Sequence, residues 1–259
     1  MAKLALVVAA LTVFGTLILA FVVAGDPSQL EQIPGVASNL LAWGAGVLFA
    51  FGASVRALPK DREEGIRDLY RARGQSDTAY LWARVGGLGI ELAWVTAGGT
   101  LVCGVVAALV ANGGAASLRT LGATLASVVF SLAFALVLAP VAMATLGVRS
   151  RMGGYLALVA VLGLPELAGR WTARVLPEGW GELGSIPGAM LALRSALVPG
   201  HLDVMLAFRA AAVLALVAAV ALLILRAEQA SLGSEPPPGG EDGTQSPSPR
   251  RGQHAGARA

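Results

Sequence analysis

The densest group of charged side chains lies in the segment 56–84, which reads RALPKDREEGIRDLYRARGQSDTAYLWAR. Acidic and basic residues are mixed there, so the segment offers charges of both signs to a binding partner. A helix that only binds lipid would instead be basic on its polar face. The segment therefore fits either a docking surface for a protein or a solvated surface at the membrane, and the residues alone leave both interpretations open.

No catalytic pattern is recognisable elsewhere in the chain. A P-loop requires the pattern G-x-x-x-x-G-K-[ST], but the only lysines are Lys3 and Lys60, and neither follows a glycine. The two histidines, His201 and His254, are far apart and no H-E-x-x-H pattern exists, while Cys103 is the single cysteine. We therefore expect no enzyme activity, no metal site and no ATP-binding site in this chain.

The elements that must carry this segment are membrane helices. Apolar residues make up 56% of the 259 residues and charged residues 14%, with a mean hydropathy of +0.70. A soluble domain carries about 25% charged residues. Runs that approach the roughly 20 apolar residues of a membrane helix occupy 4–24, 40–55, 85–111, 118–147 and 205–225.

A sixth apolar run, 154–164, is too short to cross alone and is expected to end at Pro165. The first run could also belong to a signal peptide, but it is longer than the usual 7–15 residues of such a segment, which favours a retained helix. We predict an all-α membrane protein with a six-helix bundle over residues 1–228. Residues 229–259, rich in Pro, Gly and Ser, are expected to form a disordered cytoplasmic tail.

Basic residues predict the orientation of the spans. With a cytoplasmic N-terminus, 14 of the 19 basic residues fall in cytoplasmic segments, and the predicted outer loop 25–39 carries none. Six crossings with both termini in the cytoplasm fit this bias. The segment 56–84 is then cytoplasmic. No stretch pairs basic residues with exposed aromatic residues, so we expect no nucleic-acid partner.

Within the charged segment, the sequence predicts a short helix that begins at Pro59, a residue suited to a first helical turn. Three acidic residues would then lie near its N-terminus and two arginines near its C-terminus, as the helix dipole favours. Gly74 is suited to a helix end, and Asp77 is expected to cap the next helix. The apolar residues at positions 66, 69 and 70 are spaced to form one stripe.

Three patterns in the segment are P-x-D-R-E-x-G, L-x-x-x-R-G and Y-x-x-x-R. They comprise Pro59, Asp61, Arg62, Glu63 and Gly65, then Leu69, Arg73 and Gly74, then Tyr80 and Arg84. In this loop and in the six-helix layout, the chain resembles the permease subunits of ABC-2 type ABC transporters.

The resemblance implies a permease subunit whose loop between helices 2 and 3 contains a coupling helix that contacts a separate ATPase subunit. ATP and Mg would bind to that partner, and a second permease copy or a paralogue would complete a dimer in the bacterial cytoplasmic (inner) membrane, surrounded by lipid. Export is the expected direction. Carried over to this chain, the ATPase-coupling residues are Asp61, Arg62, Glu63, Glu64, Ile66, Arg67, Asp68, Leu69, Tyr70, Arg71 and Arg73.

Two further features bear on function. Glu91 lies inside the third predicted span, where three interpretations stay open. It forms a structural pair with Arg84 or Arg56, it lies close enough to the inner surface to extend its carboxylate to the interface, or it marks coupling or a transport pathway. Between the last two spans, a short amphipathic helix is predicted over 186–198, and the family has short outer helices there. The alternative to a permease is a membrane anchor or scaffold that recruits a cytoplasmic partner without transport. The sequence reveals no substrate.

Overall fold

The structure is a computed structural model that describes residues 2–146, 151–172, 182–198 and 202–233. All regular secondary structure in these ranges is helical. The α-helices are α1 (Ala2–Val22), α2 (Pro27–Leu30), α3 (Ile33–Asn39), α4 (Val47–Glu63), α5 (Ile66–Ala72), α6 (Asp77–Ala93), α7 (Gly99–Val110), α8 (Gly114–Leu146), α9 (Arg151–Thr172), α10 (Ile186–Ala196) and α11 (Val204–Gly233).

Five helical stretches are long and apolar enough to cross a membrane, which confirms the five long apolar runs of the sequence. These stretches are Lys3–Val22, Pro27–Ser54, Asp77–Val110, Gly114–Leu146 and Val204–Glu228. Large apolar side chains such as Leu11 and Phe208 are exposed on their outer surface. An apolar outer surface of this kind is suited to contact with the hydrocarbon core of a lipid bilayer. The chain is therefore a multi-pass membrane protein by the length and composition of its helices.

The prediction that 25–39 is a loop is wrong, because helices α2 and α3 occupy most of it. Asp26 begins α2 by accepting a hydrogen bond from the Ser28 amide at 3.0 Å, and Pro27 is suited to the first helical turn. The Ser28 hydrogen bond lowers the pKa of Asp26. Leu30 and Ile33 are buried against Ala20 and Ala107, so the segment gains packing by folding over the ends of α1 and α7.

The second and third spans each contain a π-helical turn. The turn Leu40–Gly46 joins α3 to α4, and the turn Trp94–Gly98 joins α6 to α7. The two turns pack against each other in the bundle. Turns of this type are rare and are often associated with functional sites. Here they lie within the two spans that flank the charged segment.

Helix α8 is the centre of the bundle and packs against α4, α6, α7, α9, α10 and α11. Phe130 and Phe134 on α8 are fully buried, and the Trp43 ring meets Phe134 edge-on at 5.2 Å between centroids. Gly104 allows α7 to approach α8 closely, because a Cβ atom at this position would collide with the Thr124 side chain. Small residues at such crossings are typical of helix packing in membranes.

The prediction that the short apolar run 154–164 ends at Pro165 is wrong, because α9 continues through this proline to Thr172. A helix in a bilayer keeps its remaining backbone hydrogen bonds across a proline because no water replaces them. The helix predicted over 186–198 is confirmed as α10, which begins where Ser185 accepts a hydrogen bond from the Gly188 amide at 3.0 Å.

Helix α11 extends to Gly233, beyond the predicted domain boundary at residue 228. The prediction of disorder is therefore wrong for 229–233, where the helix continues through QASLG. Residues with good helical propensity, here Gln, Ala and Leu, explain the extension. The rest of the predicted tail, 234–259, lies outside the described residues.

Candidate functional site

The charged segment forms a compact turn between the second and third spans. Helix α4 runs unbroken through Pro59 to Glu63, so the predicted helix start at Pro59 is wrong. The chain reverses at Gly65, whose φ of 64° is left-handed, and α5 follows as a short helix. A left-handed backbone favours glycine, which is why the break falls here. Gly74, with a φ of 74°, ends the α5 region as predicted.

Asp61 lies in a different environment from the one predicted. It belongs to the last turn of α4 rather than the first turn of a new helix, and only 4% of it is exposed. Its carboxylate accepts hydrogen bonds from the Tyr80 hydroxyl at 2.5 Å and from the Arg84 guanidinium at 2.6 Å. An acid at a helix C-terminus is disfavoured by the dipole, and the arginine offsets this cost. Asp61 therefore positions α6 against α4 and is not part of an exposed docking surface.

Aromatic contacts extend this anchor to α5. The Tyr70 and Tyr80 rings pack edge-to-face at 5.6 Å between centroids, and the Arg84 guanidinium lies 5.7 Å from the Tyr80 ring centroid. Ile66 and Tyr70 are half-buried against the main core. Leu69, however, is 51% exposed. The predicted apolar stripe is therefore split, because two of its residues hold α5 in place and Leu69 remains on the surface.

A second, exposed link joins α5 to α6. Arg71 donates two hydrogen bonds to the Asp77 carboxylate, at 2.9 and 2.6 Å. These bonds raise the pKa of Arg71. The cap of α6 is Ser76, whose hydroxyl accepts a hydrogen bond from the Ala79 amide at 3.2 Å, so the prediction that Asp77 caps this helix is wrong. Ser76 is the cap because its backbone is still extended, with ψ of 152°, whereas Asp77 is already the first helical residue.

The structure thus separates the predicted coupling residues into two groups. Asp61, Ile66 and Tyr70 hold the turn against the spans. The exposed group, which we call the α5 surface, consists of Glu64, Asp68, Leu69, Arg71 and Arg73. The side chains of Arg62, Glu63 and Arg67 lie outside the described residues, and their predicted role stays a prediction.

Glu91 lies on α6 and is exposed at the side of the bundle. Its predicted pairing with Arg84 is wrong, because Arg84 is bound to Asp61. The two residues are seven positions apart, roughly 10 Å along the helix. Among the described side chains, Glu91 has no hydrogen bond or ion pair. Pairing with Arg56 stays a prediction, since that side chain lies outside the described residues.

Sequence reasoning missed a polar cavity of about 810 Å³ at the opposite end of the bundle, between α2–α3, the start of α8 and α10. Arg194 donates a hydrogen bond to the Gly35 carbonyl at 3.2 Å, and burial lowers the pKa of its guanidinium. Arg119 also lines the cavity. The available signal was the presence of single arginines within apolar stretches, at 119 and 194.

Comparison of the chain with protein-family models, with curated proteins and with solved structures finds no match. Function must therefore be argued from the residues and the geometry described above.

Proposed function

We propose that the chain is the membrane-embedded permease subunit of an ABC transporter, driven by a separate ATPase subunit that docks on the α5 surface. The observation that carries the proposal is the attachment of a short, charged helix to two neighbouring spans. The pattern of the loop, which resembles that of ABC-2 type permeases, supports it. ATP and Mg would be bound by the ATPase subunit.

The attachment supports a mechanical role for α5. Tyr70 on α5 packs against Tyr80 on α6. The Tyr80 hydroxyl is in turn hydrogen-bonded to Asp61 on α4. The Arg71–Asp77 pair adds a second link between α5 and α6. A force applied to α5 by a docked subunit would therefore reach both spans. A helix that merely lay on lipid headgroups would have no need of buried links to its neighbours.

The α5 surface has the chemistry of a protein contact. It presents acidic and basic side chains around an exposed leucine, Leu69. Apolar residues at the centre of an interface, with charges at its rim, are typical of protein–protein contacts. Mixed charges select a partner with the complementary arrangement.

The topology we propose has six crossings, with α9 as the fifth. Helix α9 has 22 residues, which corresponds to roughly 33 Å at 1.5 Å per residue. This length is sufficient for the hydrocarbon core, although its apolar part, Gly153–Leu167, is shorter. With the basic residues inside, both termini and the α5 surface are cytoplasmic. A second copy or a paralogue would complete a dimer.

Affinity purification from native membranes tests the proposal. The tagged wild-type chain should co-purify with an ATP-hydrolysing subunit, and Leu69→Asp combined with Asp68→Lys should abolish this association. Like-charge contacts and a buried charge at an interface cost several kcal/mol. The matched control is Asn112→Lys, which adds a positive charge at an exposed turn at the other end of the bundle.

The control should retain the ATPase, and all three proteins should insert equally well. Retention of ATPase by the α5 variant would refute the docking surface. Recovery of a cytoplasmic partner without ATPase activity, lost in the same variant, would favour the scaffold function instead. Charge reversal of Glu63 and Glu64 to Lys should have the same effect as the α5 variant.

A further inference from the structure

The polar cavity at the opposite end of the bundle has an unusual distribution of charge. Among the described residues, two guanidinium groups line it, from Arg119 on α8 and Arg194 on α10, together with one carboxylate, from Glu31. No ion pair joins these three groups to one another or to any other described residue. Among the described lining residues, basic side chains therefore outnumber acidic ones by two to one.

Arg194 is the more constrained of the two arginines. Its guanidinium packs on the backbone of Gly35, where an added Cβ atom would lie 2.9 Å from Nη2. Within the described part of the chain, the guanidinium donates one hydrogen bond, to the Gly35 carbonyl, although it has five N–H donors. Arginine stays charged in proteins, and a charge that is partly removed from water is stabilised by a partner of opposite charge. Arg194 also lines the cavity, so its guanidinium has further donors to offer a ligand there.

Ser127 supplies an independent observation. It lies on α8 at the inner end of the cavity and is only 2% exposed. The other buried hydroxyls of α8, on Thr120, Thr124 and Ser131, all donate to a backbone carbonyl one turn earlier. The Ser127 hydroxyl has no such bond and no other partner among the described residues. A buried polar group is normally hydrogen-bonded, so Ser127 is available to a ligand in the cavity.

We propose that this cavity binds a phosphate group, held by Arg119 and Arg194 with Ser127 as an additional hydrogen-bond donor. Guanidinium groups bind phosphate through paired, charge-assisted hydrogen bonds. The amide side chains of Gln32 and Asn39 line the same cavity and can donate to further phosphate oxygens. The inference does not depend on the proposed function, because the cavity and the α5 surface lie at opposite ends of the bundle.

The size and walls of the cavity suit a phosphate that is part of a larger molecule. A volume of about 810 Å³ exceeds what a phosphate ion fills, since one water occupies about 30 Å³ of liquid. Val36, Ala123 and Val198 form an apolar part of the wall. The phosphodiester of a lipid headgroup and free phosphate share the chemistry that the arginines recognise, and the experiment must distinguish them.

The test uses the full chain, purified in a non-ionic detergent, titrated calorimetrically with short-chain phosphatidylglycerol and, separately, with inorganic phosphate. Saturable binding of at least one probe is expected. Arg119→Gln and Arg194→Gln should each weaken it by about tenfold or more, since hydrogen bonds to charged groups are the strong ones. Ser127→Ala should weaken it by less.

A variant that is expected to tighten binding serves as a control, because a misfolded protein would bind more weakly and not more tightly. Glu31→Gln removes the one carboxylate among the described residues that line the cavity, and it should tighten binding because a repulsive charge is lost. Arg73→Gln removes a positive charge from the other end of the bundle and should change the affinity by less than twofold. The thermal unfolding of each variant is recorded beside its affinity.

Competition separates the two sources of phosphate. Displacement of the lipid by millimolar inorganic phosphate identifies a site for phosphate itself. Binding of the lipid without such displacement identifies a headgroup site. The proposal is overturned if neither probe binds, if both arginine variants bind like wild type, or if Glu31→Gln weakens binding as Arg194→Gln does.

Discussion

The Tyr80 hydroxyl and the Asp61 carboxylate lie 2.5 Å apart, although nineteen residues separate them in the chain. The bond joins the last turn of α4 to the first turns of α6 and encloses α5 between them. Asp61 is one of the most buried charged residues in the described part of the chain. The polar network around the buried Asp61 carboxylate therefore holds the loop in place, and the exposed Arg71–Asp77 pair adds a second link.

We predict that Asp61→Asn lowers the free energy of unfolding by about 1–3 kcal/mol, because Arg84 loses its charged partner. The half-exposed position of Arg84 lets water moderate the loss. Tyr80→Phe should cost about 1 kcal/mol, the value of one hydrogen bond. Denaturant titration in mild detergent measures both changes.

The matched control is Arg71→Gln, which breaks the exposed pair with Asp77. Exposed pairs contribute roughly 0–1 kcal/mol, so this variant should be closer to wild type than Asp61→Asn. An equal loss of stability in the two variants would contradict a special role for the buried network.

A second prediction concerns topology and uses cysteine labelling in a Cys103→Ala background. Single cysteines are placed at Asp68, Asn112 and Leu202, which are all exposed. A membrane-impermeant maleimide should label positions 112 and 202 in intact cells and position 68 only after permeabilisation. The physical basis is the excess of basic residues on the predicted cytoplasmic side.

The same measurement distinguishes six crossings from five. If α9 does not cross, position 202 lies on the same side as position 68, and the two should then label together. Labelling of position 68 in intact cells would contradict the proposed orientation, because it would place the α5 surface outside the cell. Cys103 is the single cysteine of the sequence, so the Cys103→Ala chain without an added cysteine gives the background level of labelling.

A third prediction concerns the crossing of α7 and α8. Gly104→Ala should destabilise the bundle by about 1–3 kcal/mol, the usual cost of overpacking, because the new methyl group would meet the Thr124 side chain. Gly87→Ala is the matched control, since nothing lies within 4 Å of its Cβ position. Thermal unfolding in detergent should show a lower midpoint for Gly104→Ala alone.

Truncation after Gly233 provides the fourth prediction. The removed residues, 234–259, are rich in Pro, Gly and Ser and contain no apolar run. Such a composition cannot bury enough apolar surface to form a packed element. Membrane insertion, measured as the protein level in isolated membranes, should be unchanged, and a strong loss would reveal a packing role for the tail.

The features that depend on local composition were predictable. The five long apolar runs form five helices of membrane-spanning length, because the length of an apolar run is read directly from the sequence. Gly74 ends a helix, because glycine readily adopts the left-handed backbone that this position requires. The environment of Asp61 was not predictable in this way. Its burial depends on the continuation of α4 through Pro59, which places its carboxylate against a helix that follows later in the chain.

The polar cavity was not predictable either, because its residues are even farther apart in the chain than Asp61 and Tyr80. Gly35 and Arg194 are 159 residues apart, and no pattern in either segment indicates that they meet. Arg119 and Arg194 each appear in the sequence as an isolated charge near an apolar run. Only the packing of α3, α8 and α10 reveals that they line one space.

The π-helical turns Leu40–Gly46 and Trp94–Gly98 have a consequence for motion. A π turn holds about one residue more than an α turn, so the two halves of each span are out of phase by about 100°. Rewinding such a turn to α would rotate one half of the span about its axis relative to the other. Because both spans that flank α5 contain one, displacement of the loop at one end of the bundle can reach the other end as torsion.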